Sequence, residues 1–123
     1  MKKASFLLML LFTIAFSASA QIENTKWRNT MNIPDPVECM FHFKKDTVNL
    51  YVVADGTLVE TMIYKVSKDT LKLTKISGMS PCTEVTGLYK IEMKDEKLFI
   101  TPMSDDCSER ASAFKPDAWI KEK

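Results

Sequence analysis

The chain has 123 residues, 46% of them hydrophobic and 27% charged, with a formal net charge of +1. Near-neutral charge without a basic cluster excludes a nucleic-acid surface and, equally, a strongly acidic partner. The length suits one compact domain and leaves no room for a second.

The N-terminus reads "MKK", then "ASFLLMLLFTIAF", then "SASA". A basic head, a short apolar run and an Ala-x-Ala site are the parts of a secretory signal peptide, so residues 1–20 are expected to be a cleaved leader, cut between Ala20 and Gln21. The run from Phe6 to Phe16 is too short for a permanent bilayer helix, which takes about 20 apolar residues. No later stretch comes close, so no membrane span is expected. The nearest cysteine to the cleavage site is Cys39, far downstream, which argues against an acyl anchor. Residues 21–123 are therefore read as a single exported domain, periplasmic or secreted.

From Gln21 onward the sequence shows two-residue alternation broken by turn signals, with no sustained helical period. The apolar positions run Val37, Cys39, Phe41, Phe43; Val48, Leu50, Val52; Leu58, Met62, Tyr64, Val66; Leu71, Leu73; Val85, Tyr89, Ile91, Met93; and Leu98, Ile100. Whether these sets share one face is a question of parity, because a one-residue slip turns a strand over. Phe43 meets Val48 across Lys45 and Asp46. Val66 meets Leu71 across Lys68 and Asp69, and Ile91 reaches Leu98 or Ile100 across "MKDE". The step from Val52 to Leu58 needs an odd loop, supplied by Ala54, Asp55 and Gly56 with Gly56 left-handed.

A consistently apolar face on successive strands of a chain without long helices is best covered by curling the sheet on itself. The expected fold is thus all-β: a small antiparallel up-and-down barrel of about eight strands. "NTKWRNT" and "DAWIKE", carrying Trp27 and Trp119, are the strands that meet to close it. Asp106 followed by Glu109 reads as a capping box, giving a short helical turn over residues 107–113 before the last strand.

Export permits disulfides, and three cysteines allow one bridge. Cys82 and Cys107 lie in loops near strand ends, whereas Cys39 alternates with core residues; the expected bridge joins Cys82 to Cys107. Three reduced, buried cysteines are the alternative.

Little points to catalysis or to a metal. The only histidine, His42, alternates with Phe41 and Phe43 and so faces outward, leaving no base for a nucleophile. Three glycines do not build a phosphate loop. Met62 and Met93 fall on the core face, as packing rather than copper ligands. Asp105, Asp106 and Glu109 read as a solvated turn, since calcium needs six or more ligands. No cofactor and no enzymatic activity are expected.

The arrangement resembles the lipocalin-like domains of the calycin superfamily, particularly the short exported bacterial type, from about Trp27 to Trp119. In that family a tryptophan of the first strand is packed by an arginine following the last barrel strand. Trp27 and Arg110 occupy the matching places, so the resemblance implies a guanidinium lying over an indole; an exposed Arg110 on a polar helix face is the alternative. The resemblance further implies a non-enzymatic monomer that binds a small apolar or amphipathic molecule inside the barrel. Phe41, Phe43, Met62, Tyr64, Tyr89 and Ile91 are the candidate ligand contacts, with Glu60 or Lys75 at a mouth. The competing expectation is a filled barrel acting as a protein-interaction module of the periplasm or cell envelope, with an unknown partner.

Overall fold

In a computed structural model, which describes residues 21–82 and 84–123, eight antiparallel strands follow one another in chain order around a closed barrel. They are β1 (Thr25–Asn32), β2 (Pro36–Phe43), β3 (Thr47–Val52), β4 (Leu58–Ser67), β5 (Thr70–Gly78), β6 (Thr86–Lys94), β7 (Lys97–Asp105) and β8 (Trp119–Glu122), with one short helix, α1 (Ser108–Ala113), before β8. The expected leader and its cleavage site fall on residues 1–20, outside the described residues. Among the described residues no helix is long and apolar enough to cross a membrane.

The parity expected of the hairpins is met at three of them. Phe43 pairs with Val48, Val66 with Leu71, and Ile91 with Ile100. Asp95 and Glu96 both take positive φ, of 52° and 64°, the geometry of a type I′ turn whose twist matches the flanking strands. These three turns gather at one end of the barrel, called here the hairpin end. The turns between β1 and β2, β3 and β4, and β5 and β6, together with α1, lie at the other, the helix end.

The fourth hairpin corrects the expectation for Leu58. Gly56 is left-handed as expected, at φ 73°, but Val52 N–H bonds to Thr57 O at 2.8 Å, so the loop spans residues 53–56. An even loop puts Leu58 opposite Tyr51 on the outer face, where it is exposed. The odd residue is taken up one step later, at Val59, as a β-bulge that returns Glu60 and Met62 to the inside opposite Leu50 and Val48. Two further register shifts place Ile76 and Met103 as extra residues on β5 and β7, and both are exposed. Met93, also expected inside, is partly exposed because it stands at the end of β6, beside the turn.

Closure joins the two tryptophan-bearing strands. Trp27 is paired with Lys121 across the seam, Trp119 with Leu98 of β7, and both indoles are buried. Arg28 Nε and Nη2 donate to the Glu122 carboxylate at 2.8 and 3.2 Å, tying β1 to β8 from outside. The hairpin half of the interior is filled by Ile22, Phe43, Val48, Tyr64, Leu71 and Leu98, with Phe43 and Tyr64 edge to face at 5.1 Å between ring centres. Each such side chain contributes roughly 1.5–3 kcal/mol when fully buried. Tyr64 Oη donates to Lys44 O, which satisfies the one polar atom this packing would otherwise strand.

Candidate functional site

Toward the helix end the interior opens. A cavity of about 510 Å³ lies between the strands and the cap, lined on the barrel side by Met31, Phe41, Leu50, Val59, Glu60 and Met62. The cap side is formed by the segment Met79–Pro81 and by α1 with Phe114, which follows it. Volumes of this order hold small organic ligands. The lining is apolar apart from Glu60, Arg110 and groups on the rim such as Glu109 and Ser112.

The two sides of the cap are bonded together. Cys82 and Cys107 form a disulfide with their Cα atoms 5.7 Å apart, fixing the segment after β5 to the turn that begins α1. This is the expected bridge. Glu109 lies near both sulfurs, and the ligand atoms of Cys82, Cys107 and Glu109 fall within 4.8 Å of one another. The two sulfurs are joined to each other, however, so no thiolate pair is offered to a metal. Cys39 remains a free, buried thiol, and burial, helped by Glu38, pushes it up to about 11.

Asp105 and Arg110 carry the cap. The Asp105 carboxylate accepts Arg110 Nε at 2.6 Å and Nη2 at 2.7 Å, the Tyr89 hydroxyl, and the Cys107 N–H at 2.9 Å. Arg110 Nη2 also donates to Val85 O at 2.9 Å. Burial pushes the Asp105 carboxyl up, but these bonds outweigh it and hold the group below the usual carboxylate range. The reading of Asp105 as part of a solvated turn is thereby corrected. The capping box is corrected too: Cys107, not Asp106, is the N-cap residue, and no side chain caps the helix.

Arg110 is buried as the resemblance implies, but its bonds go to Asp105 and Val85 instead of its plane lying over Trp27. β7 is an odd strand of an up-and-down barrel, so α1 emerges at the helix end beside Asp105 at the end of that strand, and this carboxylate takes up the guanidinium's donors. Trp119 instead stacks on Phe41, with ring centres 4.7 Å apart, and Phe114 enters the barrel between Tyr89 and Trp119.

Of the six residues expected to meet a ligand, Phe41 and Met62 line the cavity. Phe43, Tyr64, Tyr89 and Ile91 belong to the packed core beneath it. Both tyrosine hydroxyls are engaged, and burial raises both phenols, that of Tyr64 to about 12. Among the lining residues that sequence reasoning did not reach are Met31, which is the next inward position of β1 after Trp27 and Asn29, and Phe114, whose sequence context of "ASAFKPD" carries no strand alternation.

Glu60 and Lys75 both turn inward, and they meet. Lys75 Nζ lies 3.9 Å from Glu60 Oε1, with both side chains buried. Ser80 Oγ donates to the same carboxylate oxygen, and Lys75 donates to Ser80 O. Gly78 makes this approach possible: a Cβ there would stand 2.5 Å from Val59 O and 2.6 Å from Glu60 Cα. Outside the barrel, His42 is half-buried on the outer face, and burial, with Lys26 and Lys44 nearby, lowers its pKa and favours the neutral ring.

No protein-family model, no curated protein and no solved structure matches this chain.

Proposed function

We propose that this chain is a non-enzymatic, exported, lipocalin-like protein, monomeric, that holds a small apolar or amphipathic molecule in the cavity at the helix end of its barrel. The observation that carries the reading is the division of the interior: side chains fill the hairpin half, while about 510 Å³ remains between the apolar upper wall and the cap. Eight-stranded barrels are just wide enough either to be filled by their own side chains or to hold one small ligand, and this one does the first below and leaves room for the second above. The disulfide supports export, since such bonds persist outside the cytosol.

The test is fluorescence of an anilinonaphthalene dye with the purified mature protein, followed by displacement with lipid-like competitors. Saturable binding, lost on replacing the exposed rim residue Ser112 by Trp to obstruct the mouth, supports the reading. A protein silent to the dye overturns it. Native mass spectrometry of material from its own host would show a retained ligand as added mass.

A second reading, an interaction module of the periplasm or cell envelope, draws support from the outer surface. Leu58 and Ile63 of β4 and Ile76 of the neighbouring β5 are all exposed, with Met79 just beyond. Loss of partner capture on changing Leu58 and Ile76 to Ser, with dye binding intact, would favour it.

A further inference from the structure

The wall of the cavity carries one carboxylate whose bonding is incomplete. Glu60 is only 5% exposed and lines the cavity. An ionised carboxylate has about four acceptor positions; here Oε1 accepts one hydroxyl, from Ser80. Lys75 stands 3.9 Å from the same oxygen, beyond hydrogen-bond range, and spends a proton on Ser80 O instead. Among the described residues no donor reaches Oε2. Lys75 does not line the cavity, so the carboxylate stands in front of the ammonium as seen by a ligand.

Bulges produce this arrangement. The extra residue at Val59 turns Glu60 inward, and the extra residue at Ile76 ends the inward run of Leu71, Leu73 and Lys75. Bulges commonly re-aim a side chain at a binding site. Glu60 Oε2 is not among the fully enclosed atoms, so it stays open to the cavity, where a ligand's donor can reach one of its free acceptor positions.

We propose that the cavity selects ligands with an apolar body and a hydrogen-bond-donor head, an ammonium or hydroxyl group, bound to Glu60. This rests on the cavity reading above and specifies its ligand class. Arg110 is the competing anchor, because its Nη1 is buried without a hydrogen-bond partner among the described residues and would suit a carboxylate head. Its charge, though, is already answered by the two bonds to Asp105, and Nη1 is fully enclosed. An anionic head would therefore find no free donor on Arg110.

Three probes of equal chain length separate the possibilities: dodecylammonium, dodecanol and dodecanoate, titrated below their micelle-forming concentrations by dye displacement at neutral pH. The expected result is that dodecylammonium binds at least about tenfold tighter than dodecanoate, as a charge-assisted bond to a buried carboxylate gives. Glu60→Gln should remove that preference and weaken dodecanol by no more than about tenfold, a neutral–neutral bond replacing one to a charged acceptor. Equal binding of all three, or tightest binding of dodecanoate, overturns the donor-head inference and leaves the cavity reading standing. Binding of none overturns both. Should Glu60→Gln fail to fold, the ranking in the unaltered protein decides alone.

Discussion

Asp105 and Arg110 form a two-pronged ion pair at 2.6 and 2.7 Å, with their side chains 0% and 4% exposed. The pair joins the end of β7 to α1, and through Val85 O and the Tyr89 hydroxyl it also holds the start of β6. Asp105→Asn would leave a buried guanidinium without its counter-charge. Breaking a buried pair in this way costs about 3–5 kcal/mol. The expected outcome is a lower urea midpoint with an unchanged slope.

The same carboxylate sets an acid limit. Its pKa is held down in the folded protein, so its contribution is fully present above the unfolded value of about 3.9 and is lost as pH falls through the lower, folded value. Stability measured by denaturant between pH 7 and pH 2 should therefore fall below about pH 4. Asp105→Asn should flatten that part of the curve.

Removing the Cys82–Cys107 bridge, which closes a loop of 25 residues in sequence separation, is expected to lower stability by about 3–4 kcal/mol on the loop-entropy estimate. The paired Cys→Ser variant and the reduced protein should agree, and both should weaken dye binding, because the bridge fixes the two halves of the cap.

Cys39 should behave oppositely to a reactive thiol. With its pKa pushed up to about 11 by burial, it carries almost no thiolate at neutral pH. A maleimide reagent should label the native protein negligibly and the urea-unfolded protein at one site. Rapid labelling of the native state would show that the upper end of β2 opens readily.

Two glycines offer a controlled contrast. At Gly87 a methyl group would fall on Asp105 Oδ2 and within 2.9 Å of Tyr89 Cε2, so Gly87→Ala must displace the ion pair, at about 1–3 kcal/mol for overpacking and more if the pair separates. At Gly56 the added atom meets nothing within 4 Å. Gly56→Ala then costs only the left-handed backbone, about 1–2 kcal/mol. Thermal midpoints of the two variants, with dye binding measured alongside, test whether damage at Gly87 reaches the cavity.

Hairpin register was legible in the chain because side-chain parity and tight turns constrain each other. Phe43 opposite Val48 and Val66 opposite Leu71 follow from local spacing alone, whereas the closure that brings Trp27 and Trp119 onto adjacent strands follows from the need to cover one continuous apolar face. The bulges were not legible. Ile76 and Met103 are apolar residues facing water, and only the long-range pairing of Lys75 with Met62 and of Tyr89 with Pro102 shows that the strands have gained a residue there. Arg110 shows a different limit. Its burial could be anticipated, but its partner depends on which end of the barrel β7 reaches, and that needs the whole strand count. The position of the cavity was not legible because the aromatic residues on alternating positions give no measure of height within the barrel: Phe41 and Phe43 share a face, yet only Phe41 reaches the open half.

The seam between β1 and β8 has a consequence for assembly. β1 keeps one bare edge until a four-residue strand some ninety positions later arrives to cover it, and that strand makes three pairings with β1 and two with β7. Synthesis therefore cannot finish the molecule piecemeal: a nascent chain lacking β8 exposes a strand flank competent to pair with another copy. The interval before ring closure is when that flank is open to a second copy, and the pairing of β8 with β1 ends it.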